Sequence, residues 1–100
     1  MKLKEAQKRV DELISELNGY WTLEEMLLAL SEEVGELSRE VLAFKGLKNP
    51  KSSIKEEIGD VLFALICIAN GLNVDLAEVL EKTLLKYRGK GKINKPPTHQ

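Results

Sequence analysis

The run from Val61 to Ala69 carries no charged or strongly polar side chain, and it constrains the fold more than any other feature of the chain. It is preceded by Ser53-Ile-Lys-Glu56, a capping-box pattern that starts a helix, and followed by Asn70-Gly71, which reads as the stop. A helix over this stretch is apolar nearly all round and needs cover on several sides. The run is far too short to span a bilayer, so the cover must come from other helices. Three more segments can supply it. Lys2 to Leu17 places Leu3, Ala6, Val10, Leu13, Ile14 and Leu17 at helical spacing and ends at Asn18-Gly19. Thr22-Leu-Glu-Glu25 is a capping box opening a helix with the stripe Leu23, Met26, Leu27, Leu30, Val34, Leu37, Val41 and Phe44. Asp75-Leu-Ala-Glu78 starts a fourth helix ending near Arg88. Connections this short make helices antiparallel neighbours, so the expected architecture is all-α: a four-helix antiparallel bundle-like protomer. Four short helices can barely cover the third one. A homodimer or homotetramer, with that helix near the interface, is therefore expected.

With 100 residues the chain makes one domain, expected over residues 1–90, with 91–100 as a flexible basic tail. The formal net charge of −1 argues neither for nor against a nucleic-acid partner, and neither nucleic acid nor membrane is expected as one. After Tyr87 the chain carries Arg88, Lys90, Lys92 and Lys95 and no acid. Such a tail is either solvated or a phosphate-facing arm. The lone Cys67 lies in the apolar run, where a buried, inert thiol in a reducing compartment is the default. The N-terminus has no apolar h-region, so the expected location is the cytoplasm.

The placement of acids carries the chemistry. The second helix holds Glu32-Glu33-Val-Gly-Glu36 and the third holds Glu56-Glu57-Ile-Gly-Asp60. Glu33 with Glu36, and Glu57 with Asp60, fall on one helix face, where like charges repel. At an effective dielectric near 20, a pair about 5 Å apart repels by about 3 kcal/mol before screening. Neither set has an obvious base on its own face apart from Arg39, four residues beyond Gly35 and off to one side. Asp60 stands beside Ile58 and the apolar run, and a buried lone carboxylate must protonate or acquire a cation. A hard divalent ion takes oxygen ligands and removes the repulsion. Gly35 and Gly59 lie between the acids of each pair, for close helix packing, for room beside the acids, or for both. Counted from the hairpin ends, the two sets are offset by about 7 Å, less if the second helix frays after Leu42. Glu24, Glu25, Glu40 and Glu56, taken singly, read as solvated helix faces.

The sequence Leu30-Ser-Glu-Glu-Val-Gly-Glu-Leu37, followed after about twenty residues by Glu56-Glu-Ile-Gly-Asp-Val-Leu62, resembles the MazG-like all-α nucleoside triphosphate pyrophosphohydrolases. The likeness covers roughly Leu23 to Arg88. It implies hydrolysis of a nucleoside triphosphate between the α and β phosphates, giving the monophosphate and pyrophosphate. It also implies a helical oligomer using Mg²⁺, with Mn²⁺ as a substitute. By position, Glu33, Glu36, Glu57 and Asp60 would hold the metal, and Glu32 would orient or deprotonate the attacking water. Lys82, Lys86 and Arg88 fall where the family binds phosphate. Lys82 and Tyr87 match its lysine and its late tyrosine, while the asparagine many members carry between them is absent. Trp21 or Tyr20 would stack on a base or close the first turn as a packed aromatic.

Two alternatives belong to other classes. A di-iron carboxylate bundle wants Glu-x-x-His pairs, and the only histidine is His99. A non-catalytic helical oligomerisation or regulatory module would retain the fold, but drift should then break the acidic set first.

Overall fold

The computed structural model describes residues 1–90, so the expected basic tail lies outside the described residues. Four helices follow one another: α1 (Leu3–Glu16), α2 (Leu23–Phe44), α3 (Ile54–Gly71) and α4 (Leu76–Lys90), and there is no strand among the described residues.

Local chemistry sets most of the helix ends. Thr22 and Glu25 form the reciprocal capping box: Thr22 Oγ1 accepts from the Glu25 N–H (3.1 Å), and the Thr22 N–H donates to Glu25 Oε1 (3.0 Å). Ser53 Oγ accepts the Glu56 N–H at 3.0 Å, one half of the box expected there. Asp75 Oδ1 accepts the Ala77 and Glu78 N–H groups at the start of α4. Helices α2 and α3 end in both Schellman hydrogen bonds and α1 in the longer one alone, from the Gly19 N–H to the Ile14 carbonyl, with Asn18, Gly46 and Asn73 at positive φ. The last corrects an expectation. Gly71 does not stop α3; it is the final helical residue, and the reversal falls on Asn73, φ 56°. Gly71 serves packing instead. A Cβ there would lie 3.0 Å from Met26 Cε and 3.3 Å from Leu23 Cδ2, so its hydrogen lets the end of α3 approach the start of α2.

The dominant packing is between α2 and α3, which form an antiparallel hairpin. Met26 meets Gly71 at one end, and Glu40 meets the backbone of Lys51 and Ser52 at the other. Helix α2 runs unfrayed to Phe44, so the connection over 45–53 absorbs the offset in residue count. Helix α1 packs on α3 and on α4, while α4 turns away from α3 by 109°. Among the described residues few apolar side chains are buried: Met26, Ala64, Ile66, Cys67 and Ala69. Helix α3 still exposes Ile58, Leu62, Phe63 and Leu65, so the described residues of one protomer do not cover its central helix. No single described helix is long and apolar enough to cross a membrane.

Candidate functional site

Along the face of α2 turned toward α3, Met26, Leu30, Glu33, Leu37 and Glu40 recur at alternating spacings of four and three, and all are buried or half-buried. On α3 the residues Glu57, Asp60, Ala64, Cys67 and Gly71 recur in the same way, and all but Gly71 are buried or half-buried. Carboxylates thus occupy positions where a helical hairpin ordinarily places aliphatic residues.

Glu33, Glu36 and Glu57 each offer a carboxylate oxygen, and these oxygens lie within 4.8 Å of one another. Glu57 is 4% exposed, Glu33 is half-buried and Glu36 faces solvent. Oε1 of Glu33 and Oε1 of Glu57 are both buried and have no hydrogen-bond partner among the described residues. Burial, together with the nearby charges of Glu36, Asp60 and Glu57, pushes the Glu33 carboxyl above the usual carboxylate range. Among the described residues no base relieves the cluster, since their one ion pair is Lys4–Asp75 (3.9 Å), made elsewhere. Two orphaned oxygens beside a third carboxylate suit a hard divalent cation, which accepts oxygen donors at irregular angles and cancels the repulsion. Asp60 stands beside the cluster and outside its tightest group, close enough for its charge to act on Glu33. Glu32 is exposed on the neighbouring face of α2.

Asp60 and Glu33 also line a cavity of about 320 Å³ whose other walls are largely apolar, among them Ile14, Met26, Phe63 and Cys67. Tyr20 and Trp21 close one side, Trp21 with 66% of its surface exposed. Tyr20 is fixed from behind. Its hydroxyl donates to Asp11 Oδ1 (2.7 Å) and accepts from Asn70 Nδ2 (2.9 Å), while Gln7 bonds Asn70 (2.9 Å) and the Leu76 N–H (2.9 Å). Burial and the Asp11 bond push the Tyr20 hydroxyl up to about 12. Burial likewise raises the Cys67 thiol, so it is a poor nucleophile.

Gly35 and Gly59 are not close-packing glycines in this protomer, because a Cβ on either would meet nothing within 4 Å. The room they leave is open. Lys82, Lys86 and Arg88 are exposed on α4, and none lines the cavity; Lys86 Nζ lies 4.9 Å from the centre of the Tyr87 ring.

Sequence reasoning misplaced one acid. Glu40 is not a solvated neighbour but the most buried charged residue described, 3% exposed, with Oε2 accepting the Lys51 N–H (3.0 Å) and the Ser52 N–H (3.2 Å). Its place seven residues after Glu33, on the same inward seam, was the available signal. Ser52, the Gln7–Asn70 pair and Asp11 were also missed. Nothing in their local sequence marks them.

A helical hairpin with inward carboxylates, unpaired by any base among the described residues and beside a largely apolar cavity, forms an acidic cluster that could hold a metal ion. The family model for the MazG nucleotide pyrophosphohydrolase domain matches residues 21–92, and the chain belongs to that family. It is 40% identical to the uncharacterized protein YpjD of Bacillus subtilis (strain 168), over 90% of this chain and 86% of that one. A crystal structure of YpjD superimposes with a TM-score of 0.79 at 41% identity, covering 87% of this chain and 93% of the other. The Bacillus-conserved MazG protein, a nucleotide pyrophosphohydrolase, gives 0.77 at 42% identity, with 87% and 89% covered. iMazG from Vibrio DAT 722 gives 0.64 at 32%, with 95% and 100% covered.

Proposed function

We propose that the protein hydrolyses nucleoside triphosphates to the monophosphate and pyrophosphate in a Mg²⁺-dependent reaction that clears unwanted nucleotides from the cytoplasmic pool. The observation that carries this reading is the pair of buried, partnerless oxygens, Glu33 Oε1 and Glu57 Oε1, beside Glu36 and at the edge of a cavity. Glu33, Glu36, Glu57 and Asp60 would hold Mg²⁺, or Mn²⁺, which takes the same oxygen donors. When bound, the ions supply charge neutralisation and polarisation of the triphosphate, the main demand of phosphoryl transfer.

The chain's own residues do the remaining work. Glu32, exposed and about 100° around α2 from Glu33, would take a proton from the attacking water without sharing the ligand positions. Trp21 offers an aromatic face at the cavity wall, on which a base would stack while Phe63 and Met26 exclude water. Lys82, Lys86 and Arg88 would bind the leaving pyrophosphate. None of them lines the cavity of its own protomer, so this role would require a dimer or tetramer in which a neighbouring protomer supplies them. The uncovered apolar side chains of α3, and Leu84 and Leu85 on α4, support such an assembly.

The test is a panel of nucleoside triphosphates with Mg²⁺, measuring pyrophosphate against orthophosphate. Pyrophosphate release with at least one nucleotide, abolished by chelation, is expected. Orthophosphate alone, or no turnover with any nucleotide, would overturn the reading.

A further inference from the structure

Glu40 sits at the end of the inward seam of α2, nine-tenths or more buried and paired with no cation among the described residues. Its charge is met by two backbone donors from the α2–α3 connection, the N–H groups of Lys51 and Ser52, both on Oε2. A buried carboxylate is costly unless hydrogen-bonded, so this contact holds the connection tightly against α2. The hydroxyl of Ser52 then donates to Oε2 of Glu57. Capping of α3 does not need this hydroxyl, because Ser53 already accepts the Glu56 N–H. Among the described residues Ser52 is the one side-chain partner of Glu57, and it engages one oxygen and leaves the other, Oε1, buried without a partner.

We propose that Glu40 and Ser52 are positioning residues that orient Glu57 for metal binding. This rests on the function proposed above. Glutamate has three flexible side-chain torsions and loses much rotamer entropy when held in one geometry. Anchoring Oε2 through Ser52 fixes those torsions before the ion arrives and directs Oε1 toward Glu33 and Glu36. Ser52 can do this only if its own backbone is held, and Glu40 holds it. The order is therefore Glu40 carboxylate, Ser52 backbone, Ser52 hydroxyl, Glu57 carboxylate. Such supporting hydrogen bonds typically change metal affinity by about 10- to 100-fold when removed.

The test uses the full chain and titrates Mg²⁺ calorimetrically, with and without a nucleoside triphosphate bearing a non-hydrolysable α,β-imido bridge. Ser52→Ala removes the hydroxyl and keeps the backbone N–H that Glu40 binds. It should raise the Mg²⁺ dissociation constant about tenfold or more while the metal-free melting temperature changes little. Ser52→Thr, which restores the hydroxyl, should recover the affinity. Glu40→Gln keeps one acceptor oxygen and should fall between wild type and Ser52→Ala. Wild-type Mg²⁺ affinity in Ser52→Ala overturns the proposal, as does a loss that Ser52→Thr fails to reverse, since the effect would then belong to the connection as a whole. If the wild-type protein binds no Mg²⁺ under either condition, the proposed function itself fails, and the positioning role with it.

Discussion

Replacing Glu33 by Gln should stabilise the metal-free protein while destroying its response to Mg²⁺. Glu33 shares the cluster with Glu36 and Glu57, their oxygens lying within 4.8 Å. At that separation one pair of full charges repels by about 3.5 kcal/mol at an effective dielectric of 20, and by about 1 kcal/mol if screened as in water. Glu36 faces solvent, so its contribution belongs near the lower figure; Glu57 is buried and belongs above it. Glutamine is nearly isosteric, carries no charge, and brings an amide that can donate to either neighbour. Against this, it keeps a buried polar atom that must find a partner, at a cost of about 1 kcal/mol or more. The expected net gain is about 1 kcal/mol or more, which for a domain of this size raises the melting temperature by about 4–8 °C per kcal/mol. Thermal unfolding in EDTA and then in millimolar Mg²⁺ separates the two effects. The wild type should gain stability with Mg²⁺ by mass action on the folded state, and the variant should begin higher and gain almost nothing. If Glu33→Gln melts at or below the wild-type temperature in EDTA, the cluster is not the site of repulsion described above.

Glu32→Gln should lower kcat by about 10² or more with little change in nucleotide affinity, because it removes a proton acceptor and no metal ligand; wild-type turnover would leave Glu32 a solvated neighbour. In sedimentation at micromolar concentration the protein should run as a dimer or larger, and a stable folded monomer would contradict the cover required by Ile58, Leu62 and Leu65. Tyr20 keeps its proton up to about 12 when folded, against an ordinary value of 10.0. The folded state then binds more protons than the unfolded one across that interval, so this contribution is present below the lower value and is lost as pH rises through the upper one. Wild type should consequently lose stability with alkali more steeply than Tyr20→Phe, and parallel pH–melting profiles would refute the link.

Sequence alone determined what depends on local chemistry. Thr22, Ser53 and Asp75 cap the helix starts because their side-chain oxygens sit within reach of N–H groups two or three residues on, whatever the rest of the chain does. The apolar stripes and the all-round apolar α3 followed from periodicity, and the matched Glu-x-x-acid pairs on neighbouring helices marked the candidate site. Register decided the rest. Whether Glu33 meets Glu57 or Asp60 depends on how the connection over 45–53 carries the chain between helices, and Glu40 holds that connection through the Lys51 and Ser52 N–H groups, donors that its place on the seam does not identify. Gly71 looked like a helix stop, and only the approach of Met26 from another helix reveals that its missing Cβ is needed for packing. The same holds for Tyr20. Its hydroxyl is held by Asn70, fifty positions away in the chain, through contacts that exist only once α1 has docked on α3. Short-range hydrogen bonds and helical period are written in neighbouring residues, but the side chains that complete a cluster of buried charges come from distant segments, and only tertiary packing brings them together.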